Sequence, residues 1–299
     1  MDERHFGIAS RPLRRWVEAE SLGHARDWRA ARNGGVRSAT CNVHQCAGRQ
    51  NSLNDVWTTL RGARLHSVEA QKAEGIPIVL IPGLAMSGRY LLPLARLLAD
   101  HYRVRVLELP GFGCSTGPRR ALSMQEHAAW IHEWMLVRGT NACHLVGHSM
   151  GCQVVAHLAA AHPDRARTLV LIGPTIDIHA RKRTTQILRL AQDFTKESFT
   201  ILFWALLDVL RAGILRTWRT STEMMGDRIE AQLTQITAPT HLLRGKNDPI
   251  APESWLQTAA NFLSTGRSQT LPVGAHCVQF SDPERTAAVI IGWIEHHAP

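Results

Sequence analysis

Residues 147–151 read Gly147-His148-Ser149-Met150-Gly151, a serine hydroxyl framed by two glycines. The apolar run ACHLVGH (142–148) leads into it, and an Ala- and Val-rich stretch over 150–162 follows. This pattern predicts a strand, a sharp turn at Ser149 and a helix from Met150, the setting in which a strained turn lifts a serine hydroxyl clear of a sheet. In such a turn a side chain at either glycine would collide with its neighbours. The hydroxyl would stand at a helix N-terminus, whose positive end favours developing negative charge. That suits nucleophilic attack; the plainer alternative is a helix-capping serine.

A serine hydroxyl is a weak nucleophile at its own pKa and needs a base. Of 16 histidines, His276 is placed best, because Pro272-Val273-Gly274-Ala275-His276 follows the last predicted strand. That loop falls at the carboxyl edge of the sheet, where ligands bind in open α/β folds. His148 adjoins the serine, but adjacent residues on a tight turn point apart, so it reads as structural. A carboxylate must hold the imidazole in the right tautomer and stabilise its charged form. Asp248, in Arg244-Gly245-Lys246-Asn247-Asp248-Pro249, is favoured; Asp177, beyond the strand ending at Gly173, is the rival. Two backbone N–H groups must face the developing oxyanion. Met150 should supply one and Leu84, in Pro82-Gly83-Leu84-Ala85-Met86, the other. An unperturbed histidine base predicts activity rising through an apparent pKa of roughly 6–7.

The elements that must position these groups alternate between strand and helix, the signature of a mostly parallel sheet covered on both faces. WTTLRGARLHSVEA (57–70) predicts a hairpin turning at Arg61-Gly62. Strands are expected at 76–82, 103–109, 142–148, 167–173, 240–245 and 267–271. Helices are expected after Ser87, as its cap, from Ser123 to about Val137, over 150–162 and 252–264, and from about Asp282. Residues 174–236 show helical patterns and no convincing strand, and read as an inserted cap. The core is then 56–173 and 237–299, and residues 1–55, with no sustained period, read as a mostly disordered extension.

Composition narrows the function. At 299 residues and 44% hydrophobic content the chain can bury a large core. No window has the eighteen apolar residues of a membrane span, and the N-terminus lacks a signal peptide's apolar region, so a cytoplasmic protein is expected. Six cysteines at 41, 46, 114, 143, 152 and 277 do not suggest a disulfide framework. Cys41, His44 and Cys46 lack a second ligand pair for zinc, and Cys143 and Cys152 read as small core hydrophobes. Residues 1–64 hold eleven Arg and six acids, net +5, of the chain's +9. No basic stripe with stacking aromatics accompanies that charge, which argues against nucleic acid as a partner. No metal or organic cofactor is expected, and the oligomeric state stays open.

Taken together, IPGL (81–84), ELPGFGCS (108–115), VGHSMG (146–151), RGKNDP (244–249) and GAH (274–276) resemble the α/β-hydrolase superfamily, in particular its capped, esterase-like members. The resemblance spans about residues 57–297. It implies the order nucleophile Ser149, acid Asp248, base His276. It further implies cleavage of small to medium apolar carboxylic esters through an acyl-enzyme, or alternatively carbon–carbon hydrolysis, lactone hydrolysis or cofactor-free perhydrolysis by the same three residues. Two departures stand out. The family's common His-Gly before the oxyanion residue is Pro82-Gly83, and its usual Asp before Leu-Pro-Gly is Glu108, expected to matter only to packing. The apolar face of 198–218 makes Phe203 and Leu206 candidate substrate contacts, with Phe112 a third.

Overall fold

The computed structural model describes residues 52–70 and 75–298. The proposed extension (1–55) therefore lies almost wholly outside the described residues, as do Cys41, His44 and Cys46. Strand β1 (Asn54–Leu60) starts two residues inside the span assigned to that extension, because Asn54 pairs with Glu69 of β2 (Ala63–Ala70). The two-residue turn between them has positive φ at Arg61 and Gly62 (50° and 76°), the geometry of a tight hairpin that matches strand twist.

Six more strands complete one eight-stranded sheet: β3 (Ile78–Ile81), β4 (Val104–Leu107), β5 (Cys143–His148), β6 (Ala166–Ile172), β7 (Thr240–Gly245) and β8 (Gly266–Leu271). The spatial order is β1-β2-β4-β3-β5-β6-β7-β8. The hairpin and the β2–β4 pair are antiparallel, and every pair from β4 through β8 is parallel. β3, β4, β5 and β7 are buried along their whole length, as strands in a sheet covered on both faces should be.

Strand periodicity divides the core in two. Val79, Ile81, Leu145, Leu169 and Leu171 join one hydrophobic cluster, while Ile78, Leu80, Val146, Val170 and Ile172 join the other. Helices α2 (Met124–Val137), α3 (Met150–Ala161) and α8 (Glu253–Asn261) pack into the first. Helices α1 (Leu92–Leu98), the short α9 (Val278–Ser281) and α10 (Pro283–His297) pack into the second. α2 opens on a capping box, in which Ser123 accepts from the Glu126 N–H and the Glu126 carboxylate accepts from the Ser123 N–H.

Ser87 departs from the cap expected of it. A single 3-10 turn (Gly88–Leu91) intervenes before α1, and the Ser87 side chain caps nothing. Its N–H and hydroxyl instead donate to the fully buried carboxylate of Asp208, at 2.8 and 2.6 Å. A buried carboxylate needs donors more than a helix end needs one acceptor. Asp208 belongs to the segment between β6 and β7, which forms helices α4 (Arg183–Phe194), α5 (Phe199–Ala212), α6 (Ile214–Gly226) and α7 (Ile229–Leu233). No helix among the described residues is long and apolar enough to cross a membrane.

Candidate active site

β5 runs into the turn at Ser149 and α3 starts at Met150, with Ser149 at φ 54°, ψ −121°. That positive φ is strained for a residue with a side chain. The turn holds because the Ser149 N–H donates to the Ile172 carbonyl (2.9 Å) and the glycines leave room. A Cβ on Gly147 would lie 2.7 Å from the Gly151 carbonyl oxygen, and one on Gly151 would lie 2.4 Å from that of Ile81. Met150 is the first residue of α3, so its N–H is one of the helix's orphan donors. The loop after β3 approaches from the side: a Cβ on Gly83 would stand 3.2 Å from the Ser149 Cβ. Leu84, next in that loop, is half-buried and packs on the core.

The loops after β7 and β8 bring Asp248 and His276 together. His276 Nδ1 lies 3.0 Å from Asp248 Oδ2. The other carboxylate oxygen of Asp248 accepts from the N–H groups of Ile250 and Ala251 (2.8 and 3.0 Å). Burial works against the Asp248 charge, but the charge and hydrogen bond of His276 and those two amides hold its pKa below the ordinary value. His276 Nε2 is buried and makes no hydrogen bond. Asp177, the rival, is spent elsewhere. It accepts from the His179 N–H and pairs with Arg189 at 2.9 Å.

Several residues that sequence reasoning passed over complete this arrangement. Gly173 follows β6 at φ 56°, and a Cβ there would sit 2.9 Å from both Cε1 and Nδ1 of His276 and 3.2 Å from Asp248 Oδ2. From the α4–α5 segment, Asp193 accepts from the His276 N–H (3.1 Å) and Glu197 from the Cys277 N–H (2.7 Å). Burial raises the pKa of both carboxylates. For His276 burial pulls downward, but the charge and hydrogen bond of Asp248, then the charges of Asp193 and Glu197, push it up to about 9. No local sequence pattern marks this pair, whose partners lie 83 and 80 residues away.

His148 is more than filler beside the serine. Burial, then the neighbouring His276, lowers its pKa to about 3, so the ring is neutral. Nε2–H donates to the His276 carbonyl (3.1 Å), leaving Nδ1 to accept from the Tyr90 hydroxyl (2.8 Å). The Tyr90 oxygen in turn accepts from the Gly83 N–H (2.9 Å). One chain of hydrogen bonds thus ties the β3 loop, the turn at Ser149 and the His276 loop. Glu108 also does more than pack. Its carboxylate accepts from the N–H groups of Gly88 and Cys114 and meets His66 Nδ1 at 3.0 Å.

The three candidate substrate contacts lie at different depths. Phe112 is 1% exposed within the core, its ring 6.1 Å from that of His127, because an aromatic that large finds more apolar contact there. Phe203 and Leu206 are 48% and 58% exposed, on the face of α5 opposite Ile201 and Asp208, which pack on the domain. Among the described residues His66, Glu108 and Cys114 have the spacing of metal ligands. The His66 nitrogens already meet Glu108 and Asp55, and burial followed by Glu108 pushes the Cys114 thiol up to about 12, so a hydrogen-bonded cluster fits better than a cation site.

A family model described as alpha/beta hydrolase fold matches residues 76–202. Over 240 residues the chain is 26% identical to a provisionally named carbamate hydrolase, RutD, of Serratia proteamaculans, spanning 73% of this chain and 90% of that protein. It is likewise 26% identical over 243 residues to a pimeloyl-[acyl-carrier protein] methyl ester esterase of Aeromonas hydrophila, spanning 73% of this chain and 94% of that one. Among solved structures, a bacterial membrane phospholipase A superposes with a TM-score of 0.71 at 22% identity, covering 82% of this chain and 86% of that chain. The chain has the α/β-hydrolase fold, and the two curated relatives it resembles carry the names of hydrolases.

Proposed function

We propose that the chain is a serine hydrolase that cleaves carboxylic esters through an acyl-enzyme. The carrying observation is His276, bound to Asp248 through Nδ1 while Nε2 stays buried and unpartnered, in the loop that His148 ties to the Ser149 turn. In this reading Ser149 Oγ attacks the ester carbonyl as His276 Nε2 takes the hydroxyl proton, while the N–H groups of Leu84 and Met150 receive the oxyanion. Collapse breaks the bond to the alkoxy group, which leaves as an alcohol carrying the proton from His276. Water then attacks the acyl-enzyme with His276 again as base, releasing the acid and restoring Ser149. Asp248 stays ionised throughout. Helices α4–α7 act as the cap that shapes the substrate site, with Asp193 and Glu197 joining cap to base.

The methyl ester esterase and the phospholipase support an ester. The carbamate hydrolase favours a second reading, in which the same three residues open a carbamate. A panel of p-nitrophenyl esters of increasing chain length, run beside a p-nitrophenyl carbamate, separates the two. Turnover of esters at least tenfold faster in kcat/KM supports the first reading, and the reverse order supports the second.

A further inference from the structure

Exposed apolar side chains are concentrated on one part of this molecule. Of the fifteen large hydrophobic side chains that stand exposed among the described residues, eleven lie between Ile187 and Trp218. On α5 the exposed set is Phe199, Phe203, Leu206 and Leu210, and at about 100° per residue they fall within about 60° of arc. Phe199 is 82% exposed and stacks on Phe203, ring centroids 6.4 Å apart. α6 packs on α5 one residue later and exposes Ile214, Leu215 and Trp218. The inner face of α5 is occupied by the Asp208 hydrogen bonds and by Trp204 against Phe280. The outer stripe is thus apolar on a helix that is already docked. Apolar surface gathered in this way marks an interaction site.

The charge on the same segment is one-sided. Lys182, Arg211 and Arg219 are exposed, Arg211 lying 3.7 Å from the buried Asp208 carboxylate, while exposed Lys196 donates to the Asn247 carbonyl (3.0 Å). Asp177, Asp193 and Asp208 are buried, and Asp227 and Glu230 are paired with His157 and Arg181. Glu197 is half-buried against the Cys277 N–H, which leaves Glu223 as the exposed acid of residues 174–236. Apolar stripes on surface helices, aromatic residues among them and basic residues at the rim form the pattern that seats a helix in a lipid interface. We propose that the outer face of α5 and α6 docks on an anionic lipid surface, its apolar side chains entering the headgroup boundary and its basic rim meeting lipid phosphates. Charge also argues against the other occupants. A second copy would set two basic rims together, and residues 1–64 carry the same sign, net +5.

Flotation of the full chain with phosphatidylcholine vesicles, with and without phosphatidylglycerol, tests this. The protein should float with the anionic vesicles, far less with pure phosphatidylcholine, and progressively less as salt rises. The triple variant Phe199→Gln, Leu210→Gln, Trp218→Gln should lose at least tenfold in vesicle affinity while keeping its melting temperature, since the three side chains are exposed. Arg219→Gln should weaken binding to anionic vesicles alone. Flotation needs no turnover, so failure here and failure of the esterase reading are distinguishable. The proposal is overturned if the wild type does not float at any phosphatidylglycerol content, or if the triple variant floats equally well. It is also overturned if the triple substitution converts a dimer to a monomer, which would mean a second copy covers the face.

Discussion

Burial alone would push the His276 imidazole down, yet Asp248, Asp193 and Glu197 carry it up to about 9. In the proposed mechanism the base must be neutral to take a proton, so a raised pKa keeps His276 charged to higher pH. The value of roughly 6–7 expected from an unperturbed histidine is therefore corrected upward, and kcat/KM should climb between pH 7 and 9. Asp193→Asn keeps an oxygen to accept from the His276 N–H but removes one negative charge. That lowers the imidazolium's stability and should move the rising limb of the profile to lower pH. A wild-type limb below pH 7, or a limb unmoved in the variant, would contradict this assignment. Ser149, Asp248 and His276 could be singled out in the sequence because each ends or follows a strand that the sequence predicts. Asp193 and Glu197 could not, because a hydrogen bond across 83 or 80 residues leaves no local pattern.

At the scale of elements, turns position the site. Gly147 and Gly151 announce themselves in the sequence, but Gly173 does not, since nothing local shows that its missing side chain makes room for His276. Gly173→Ala should crowd the imidazole away from Asp248, as well as strain a φ of 56°. Displacements on the order of 1 Å in a reacting group can cost about 10²-fold. Steady-state kinetics should show a loss of that size in kcat with KM little changed, and near wild-type turnover would mean the ring has slack. Ser87 shows the limit of local rules from another side. A serine before a helical pattern reads as a cap, and only the fold reveals the carboxylate of Asp208, 121 residues away, that claims it. Phe203 and Leu206 show a related limit, standing exposed on α5. Periodicity identifies a face of α5, but not which face meets the domain.

For the whole molecule, the alternating strands and helices made the sheet and its order of elements readable, while burial set the ionisation that sequence could not foretell. His127 and His148 are driven by burial down to about 3, and His144 and His241 to about 4. Each titrates at the ordinary 6.5 once unfolded, so protons favour the unfolded chain and stability falls as pH drops below about 6.5. His66 and His276 run the other way. Their pKa values of about 9 mean that the folded state holds protons the unfolded one has lost, so their contribution is full below about 6.5 and disappears as pH rises through about 9. The melting temperature should therefore peak near pH 6–7 and fall on both sides, even as activity rises with alkalinity. A monotonic rise to pH 9 would show that these groups are not coupled to folding as described. The central claim, that Ser149 is the nucleophile His276 activates, is tested most directly by labelling with a fluorophosphonate and mapping the modified peptide. Label on Ser149 alone, absent from Ser149→Ala together with a loss of ester turnover on the order of 10⁴-fold, is the predicted result. Label on another residue, or a Ser149→Ala protein that still turns over ester at a comparable rate, would contradict the account.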